Sequence, residues 1–115
     1  MKNITKIFIL FAAVALLSAF QIIKTQLTVT VRDDLGNIVT GATVKLYETE
    51  DDYNKEENVA AEGTTDDKGK AKFKELKAIP YYLLVEKGDK NNFGGGEQTG
   101  KLEEKKINQV TVVIQ

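Results

Sequence analysis

Histidine and cysteine are both absent from this chain, and their absence decides most of what its side chains can do chemically. Without His, the usual general base near neutral pH and the commonest metal ligand are missing. Without Cys, thiol nucleophiles and the usual zinc ligands are missing too. A Ser/His/Asp triad cannot be assembled. Carboxylates remain, since Asp and Glu together number 17, and paired acids can perform acid–base work. No pair is set apart by its spacing, so no catalytic, cofactor-binding or metal-binding residue is assigned, and the chain reads as non-catalytic with no cofactor. The best cation candidate is Asp52-Tyr53-Asn54-Lys55-Glu56, which places oxygens at alternate positions as some calcium loops do. It lacks the Gly and the distal Glu of an EF-hand loop, so solvated acids are the preferred reading. Asp33, Asp34, Asp66 and Asp67 fall in turns, where Asp is ordinary turn chemistry.

Two aromatic residues stand out because their surroundings are polar. Tyr53 lies in an acidic stretch, and Phe93 lies in a Gly- and Asn-rich one. Loop aromatics can anchor a protein partner or stack on a sugar; isolated exposed aromatics are equally ordinary on a protein surface. Both are taken as possible partner contacts. Tyr47, Tyr81 and Tyr82 sit in strand-like runs, where cross-strand packing is the expected role. Lys68, Lys70, Lys72 and Lys74 form a basic stripe that reads as a solvated face discouraging edge pairing.

The elements that must carry these residues begin after an unusual start. Lys2 and Lys6 precede an uncharged run over 7–23, IFILFAAVALLSAFQII, with small residues at Ser18-Ala19. This pattern predicts a signal helix cleaved near Ala19. A retained membrane anchor is the alternative, although the run is short against the ~20 residues that span a bilayer. Residues 1–25 are thus read as signal peptide or N-terminal anchor, and residues 26–115 as one domain. The protein is expected to be exported, to the periplasm, the cell surface or the medium. A membrane would be met only through residues 7–23, where they are uncleaved. Over the whole chain 16 basic residues face 17 acidic ones, and losing Lys2 and Lys6 tips the balance further to the acidic side. That argues against nucleic acid as a partner, which requires a basic face. An exported domain without disulfides must be held together by its core.

Strict apolar alternation predicts strands over 26–32, 42–47, 70–73 and 107–115. A short strand of small residues, with Val59 and Ala61 inward, is expected over 59–65. The run Tyr81-Tyr82-Leu83-Leu84-Val85 follows the corner at Ile79-Pro80. Segment 48–58 reads as a solvated loop that could carry one helical turn. Segment 89–100 reads as a long mobile connection. Asp-Asp-x-Gly occurs at 33–36 and again at 66–69 with unlike flanks, which shared turn chemistry explains better than an internal repeat. Six or seven short strands separated by turns predict an all-β sandwich.

Three segments in order carry a family resemblance. VRDDLGNIVTGATVKL (31–46) looks like the opening hairpin of carboxypeptidase regulatory-like domains. TDDKGKAKF (65–73) resembles their T-D-x-x-G-x-x-x-F segment, and Tyr81-x-Leu83-x-Val85 resembles the Y-x-L-x-V strand that follows. Ile38 and Pro80 depart from the family's usual Pro and Gly. The resemblance implies a seven-stranded Greek-key sandwich of the transthyretin-like type. It also implies a structural or interaction role: a protein partner in the cell envelope, with carbohydrate as the alternative ligand. Related hydrolases depend on His residues that this chain lacks. Related adhesin sandwiches carry a Lys–Asn crosslink between first and last strands; Asn108 is present here, but the first strand has no Lys.

Overall fold

The computed structural model describes residues 23–115. The expected signal peptide or anchor falls almost wholly outside the described residues, and among those described no helix is long and apolar enough to cross a membrane. In chain order the elements are β1 (Gln26–Asp33), β2 (Thr43–Tyr47), α1 (Glu50–Lys55), β3 (Ala61–Thr64), β4 (Lys70–Phe73), β5 (Pro80–Lys87), β6 (Lys90–Asn91), β7 (Gln98–Lys101) and β8 (Ile107–Ile114). One sheet has the order β4-β1-β8; the other has the order β3-β2-β5-β6, with β7 also beside β5. The molecule is the expected all-β sandwich.

Alternation places the core. Leu27, Val29 and Val31 of β1 meet Val44, Leu46, Leu83 and Val85 of the facing sheet, and all are buried. Phe73, Tyr81, Val112 and Ile114 complete this layer. All strand pairs are antiparallel except β1 and β8, which run parallel in unbroken register from Gln26↔Ile107 to Asp33↔Ile114. A parallel pair requires a long crossover, and here all the other strands lie between its two members.

One expectation is sharpened and two need correction. Segment 48–58 carries its helical turn as the short helix α1. Thr49 caps it by accepting the Asp52 N–H at 3.1 Å, and Glu50, Asp51 and Asp52 in the first turn favour the positive end of the helix dipole. Segment 89–100 is not an irregular connection, since it supplies β6 and β7 and brings the strand count to eight. Between them Asn92, buried with 1% exposure, acts as a side-chain rung on β5. Its Oδ1 accepts the Val85 N–H at 3.0 Å, and its Nδ2 donates to Leu83 O at 3.0 Å. Val59 does not point inward but is 40% exposed, because β3 begins only at Ala61.

The two Asp-Asp-x-Gly turns are built alike. Asp33 Oδ1 accepts from the N–H groups of Leu35 and Asn37, and Asp66 Oδ1 accepts from those of Lys68 and Lys70. In each turn the Asp N–H also donates to the carbonyl four residues on, and the Gly N–H donates back to the Asp carbonyl. Gly36 and Gly69 both take positive φ, 86° and 72°. Only Gly69 is also crowded, since a Cβ there would collide with Ile38 Cγ2 and lie 3.1 Å from Val31 O. Thr65, beside the second turn, is 4% exposed. Its hydroxyl accepts the Ala42 N–H at 2.9 Å and donates to Val39 O at 2.7 Å, pinning the corner before β2.

Gly69→Ala is expected to lower unfolding stability in urea by about 2–4 kcal/mol, because steric overlap adds to backbone strain. Gly36→Ala, strained but unobstructed, is expected to lose only about 1 kcal/mol. Both turn carboxyls are held below the usual aspartate range by backbone donors, chiefly Asn37 for Asp33 and Lys70 for Asp66. Folding therefore favours their charged form. That stabilisation is present above the ordinary aspartate pKa and is lost as pH falls through the lower folded-state values. Tm is expected to fall as pH drops below about 4, and more shallowly in an Asp33→Asn/Asp66→Asn variant.

Candidate functional site

Tyr53 and Phe93, forty positions apart in sequence, come together on the outer face of the five-stranded sheet. Their ring centroids lie 6.5 Å apart at an interplanar angle of 66°. The outward residues of β2 and β5 form the floor. Tyr47 and Tyr82 are register partners, and Lys45 pairs with Leu84. Helix α1 lies over this floor and inserts Tyr53 into it. Tyr53 sits at the hub, 6.0 Å from Tyr47 in an edge-on arrangement and 6.1 Å from Tyr82. Such geometries contribute beyond simple area burial. The result is a second apolar cluster of Tyr47, Tyr53 and Leu84, with Tyr82 half-buried beside it.

The two sequence candidates therefore have different roles. Tyr53 is not an exposed loop aromatic but a helix residue with 8% exposure that fastens α1 to the sheet. Phe93 remains 55% exposed and forms the accessible rim together with Tyr82. Glu97 lies beneath the Phe93 loop, where its carboxylate accepts the Gly94 N–H at 2.6 Å. The Tyr47 and Tyr53 hydroxyls are buried with no hydrogen-bond partner among the described residues. Burial, and then neighbouring acids, push both phenols above their ordinary pKa. Tyr81 belongs elsewhere: its ring enters the main core, and its hydroxyl accepts the Lys77 N–H at 3.0 Å.

The calcium reading fails on geometry. Asp52 to Lys55 lie in α1, with Glu56 its C-cap, so alternate residues point to opposite sides of a helix turn instead of converging. Asp52 instead accepts from Asn58 Nδ2 at 3.1 Å. Among the described residues no group of acids gathers as a cation site. Asn108, the crosslink candidate, pairs in register with Leu27. Its amide binds the main chain: Oδ1 accepts from Glu103 N–H at 2.8 Å, and Nδ2 donates to Gln26 O at 2.9 Å. It anchors the bend into β8.

A groove of about 540 Å³ opens at the end of the sandwich near Thr25, Leu76 and Tyr81. Four of its charged groups form ion pairs, Lys24–Glu75 at 2.7 Å and Lys77–Glu48 at 2.9 Å. Glu75 is held lower and Lys77 higher than usual, each by its hydrogen-bonded partner. Both stay ionised, whereas a general acid or base needs a pKa moved toward neutrality. Lys70, Lys72 and Lys74 flank a shallow groove of about 370 Å³ on the outer face of the three-stranded sheet.

No protein-family model matches the chain, and no curated protein matches it. Among solved structures, the Bacillus anthracis TIE protein aligns over 80% of this chain with a TM-score of 0.56 and 23% identity. The group B streptococcus pilus 2b backbone protein aligns over 79%, with a TM-score of 0.52 and 22% identity. The likeness is one of fold. The chain spans 17% of the first protein and 40% of the second.

Substitution separates anchor from rim. Tyr53→Ala is expected to lose about 3 kcal/mol of stability by emptying the hub. Tyr53→Phe is expected to be neutral or to gain up to about 1 kcal/mol, since it removes an unpaired buried hydroxyl. Phe93→Ala is expected to stay within about 0.5 kcal/mol. Urea unfolding monitored by circular dichroism reads all three.

Proposed function

We propose that residues 26–115 form a non-catalytic scaffolding module of an exported protein, of the carboxypeptidase regulatory-like type, acting on a protein partner in the cell envelope. The observation that carries this reading is the parallel pairing of β1 with β8 along their full length. A chain entering at the start of β1 and leaving at the end of β8 is pulled from opposite ends of that pair. Tension then slides one strand along the other, and the evenly spaced hydrogen bonds of a parallel ladder share the load. Flanking bonds hold the ladder's first end and the far end of β8. The Gln26 N–H donates to Lys106 O at 2.9 Å, and the Gln115 N–H donates to Asn91 O at 3.0 Å. Folds of this kind occur in a pilus backbone protein, which supports a load-bearing role. The ionised groups of the end groove support the non-catalytic part of the reading.

Carbohydrate binding is the second reading. It rests on Phe93 and Tyr82 alone, because Tyr53 is covered; a glycan array without hits removes it.

The chain has no native cysteine, so introduced thiols give unique handles for single-molecule pulling. Gln26→Cys with Gln115→Cys loads the β1–β8 pair in shear. Gln26→Cys with Ile107→Cys, which are register partners, unzips it one bond at a time. The shear geometry is expected to need several times the rupture force; equal forces would remove the load-bearing reading.

A further inference from the structure

The two outer faces of the sandwich carry opposite charge. On the three-stranded sheet, Lys70, Lys72 and Lys74 stand at alternate positions along β4 and its continuation, about 7 Å apart. The shallow groove beside them is otherwise lined by Gln26, Thr28, Ile107 and Gln109, so no carboxylate enters it. Among the described residues none of the three lysines lies within ion-pair distance of an acid. On the five-stranded sheet the tyrosine cluster and the Phe93 rim sit among acids. After burial, the groups that push the covered phenols up are Glu56, Glu62 and Glu86 for Tyr47, and Glu97 and Glu56 for Tyr53. Helix α1 adds Glu50, Asp51 and Asp52. Cations on this face are few. Lys45 pairs in register with Glu62, and Lys55 already holds Asp51 at 3.2 Å.

We infer that the lysine face of one copy of this chain docks on the acidic Phe93 rim of a second copy. Charge complementarity selects this occupant. The free lysines and the acids that match them belong to one polypeptide but lie on opposite sides of it, so they cannot meet within a molecule. A foreign acidic partner would satisfy the lysine face and leave the acidic face unmatched, whereas a second copy supplies both. The apolar parts match as well. Lysine lays its carbon stem on apolar surface while its ammonium stays in water, and an ammonium over an aromatic face is attracted to it. Exposed Phe93 and half-buried Tyr82 offer such faces beside the acids.

Contact between opposite faces is head-to-tail. A pair formed this way still has one free lysine face and one free rim, so the contact repeats as an open stack and does not close as a two-fold dimer. The stack runs across the strands and leaves both ends of the β1–β8 pair uncovered. It therefore stands or fails separately from the load-bearing reading.

The test uses the full chain in neutral detergent, which keeps the uncharged run over 7–23 from driving association itself. Sedimentation is expected to show species of two and more copies at low salt. Single copies are expected in about 1 M salt, where the screening length falls to about 3 Å. Either face can be reversed, by Lys70→Glu/Lys72→Glu/Lys74→Glu or by Glu56→Lys/Glu62→Lys/Glu86→Lys, with circular dichroism checking that the fold is retained. Each reversal is expected to weaken association at least about tenfold, equivalent to about 1.4 kcal/mol. A photo-crosslinking analogue in place of Phe93, in the otherwise unaltered chain, reads the geometry directly. It is expected to label residues 70–74 of a second copy, whereas the same group in place of exposed Leu35 does not. Three results would overturn the proposal. The first is single copies at low salt. The second is association that survives either reversal. The third is a label from position 93 that falls on a different polypeptide or elsewhere on a second copy.

Discussion

The sandwich depends on one strand being satisfied on both edges and on one face. Strand β1 takes β4 on one side and β8 on the other, and buries Leu27, Val29 and Val31 against the second sheet. The remaining elements are placed by what β1 requires. The two Asp turns, Thr65 and the Gly69 approach hold the end of β1 where β2 departs and β4 returns. Asn108 and the Gln26–Lys106 bond hold the opposite end. The buried side chains of Thr25, Thr65 and Asn92 complete main-chain pairing where a strand stops.

A second, separate cluster lies on the other side of the five-stranded sheet. Tyr47, Leu84 and Tyr82 would leave an apolar patch on an outer sheet face if α1 were absent. The helix exists in context because Tyr53 is buried; six residues alone form no stable helix in water. The acidic composition of α1 keeps its exposed side solvated while a single aromatic side chain fixes it. Irregular chain at this face thus serves first to finish the fold, and only the Phe93 rim is left over for recognition.

Much of the framework was legible in the residues. Alternation at Leu27-Val29-Val31, at Ala42-Val44-Leu46 and at Val112-Ile114 gave the inward faces without error, because period-two burial leaves a direct trace in composition. The equivalence of the two Asp-Asp-x-Gly turns was also readable, since the same residue types satisfy the same backbone donors. What stayed hidden has physical causes. Helix α1 was legible only as a single turn because its acids resemble a solvated loop, although Thr49 followed by three acids was an available capping signal. Strands β6 and β7 were masked because Asn92 replaces main-chain pairing with its side chain, and no periodicity records that. The meeting of Tyr53 with Phe93 depends on a helix and a loop from distant parts of the chain converging on one sheet, which local pattern cannot convey.

The parallel partnership of β1 with β8 also sets a timetable. The first strand of the domain has, on one edge, its last strand as neighbour. Until Val112 and Ile114 arrive, Leu27, Val29 and Val31 lie in an unfinished layer. Such long-range pairing is slow to form because distant chain segments must first be brought together. The core of this domain therefore closes only once its last strand is in place.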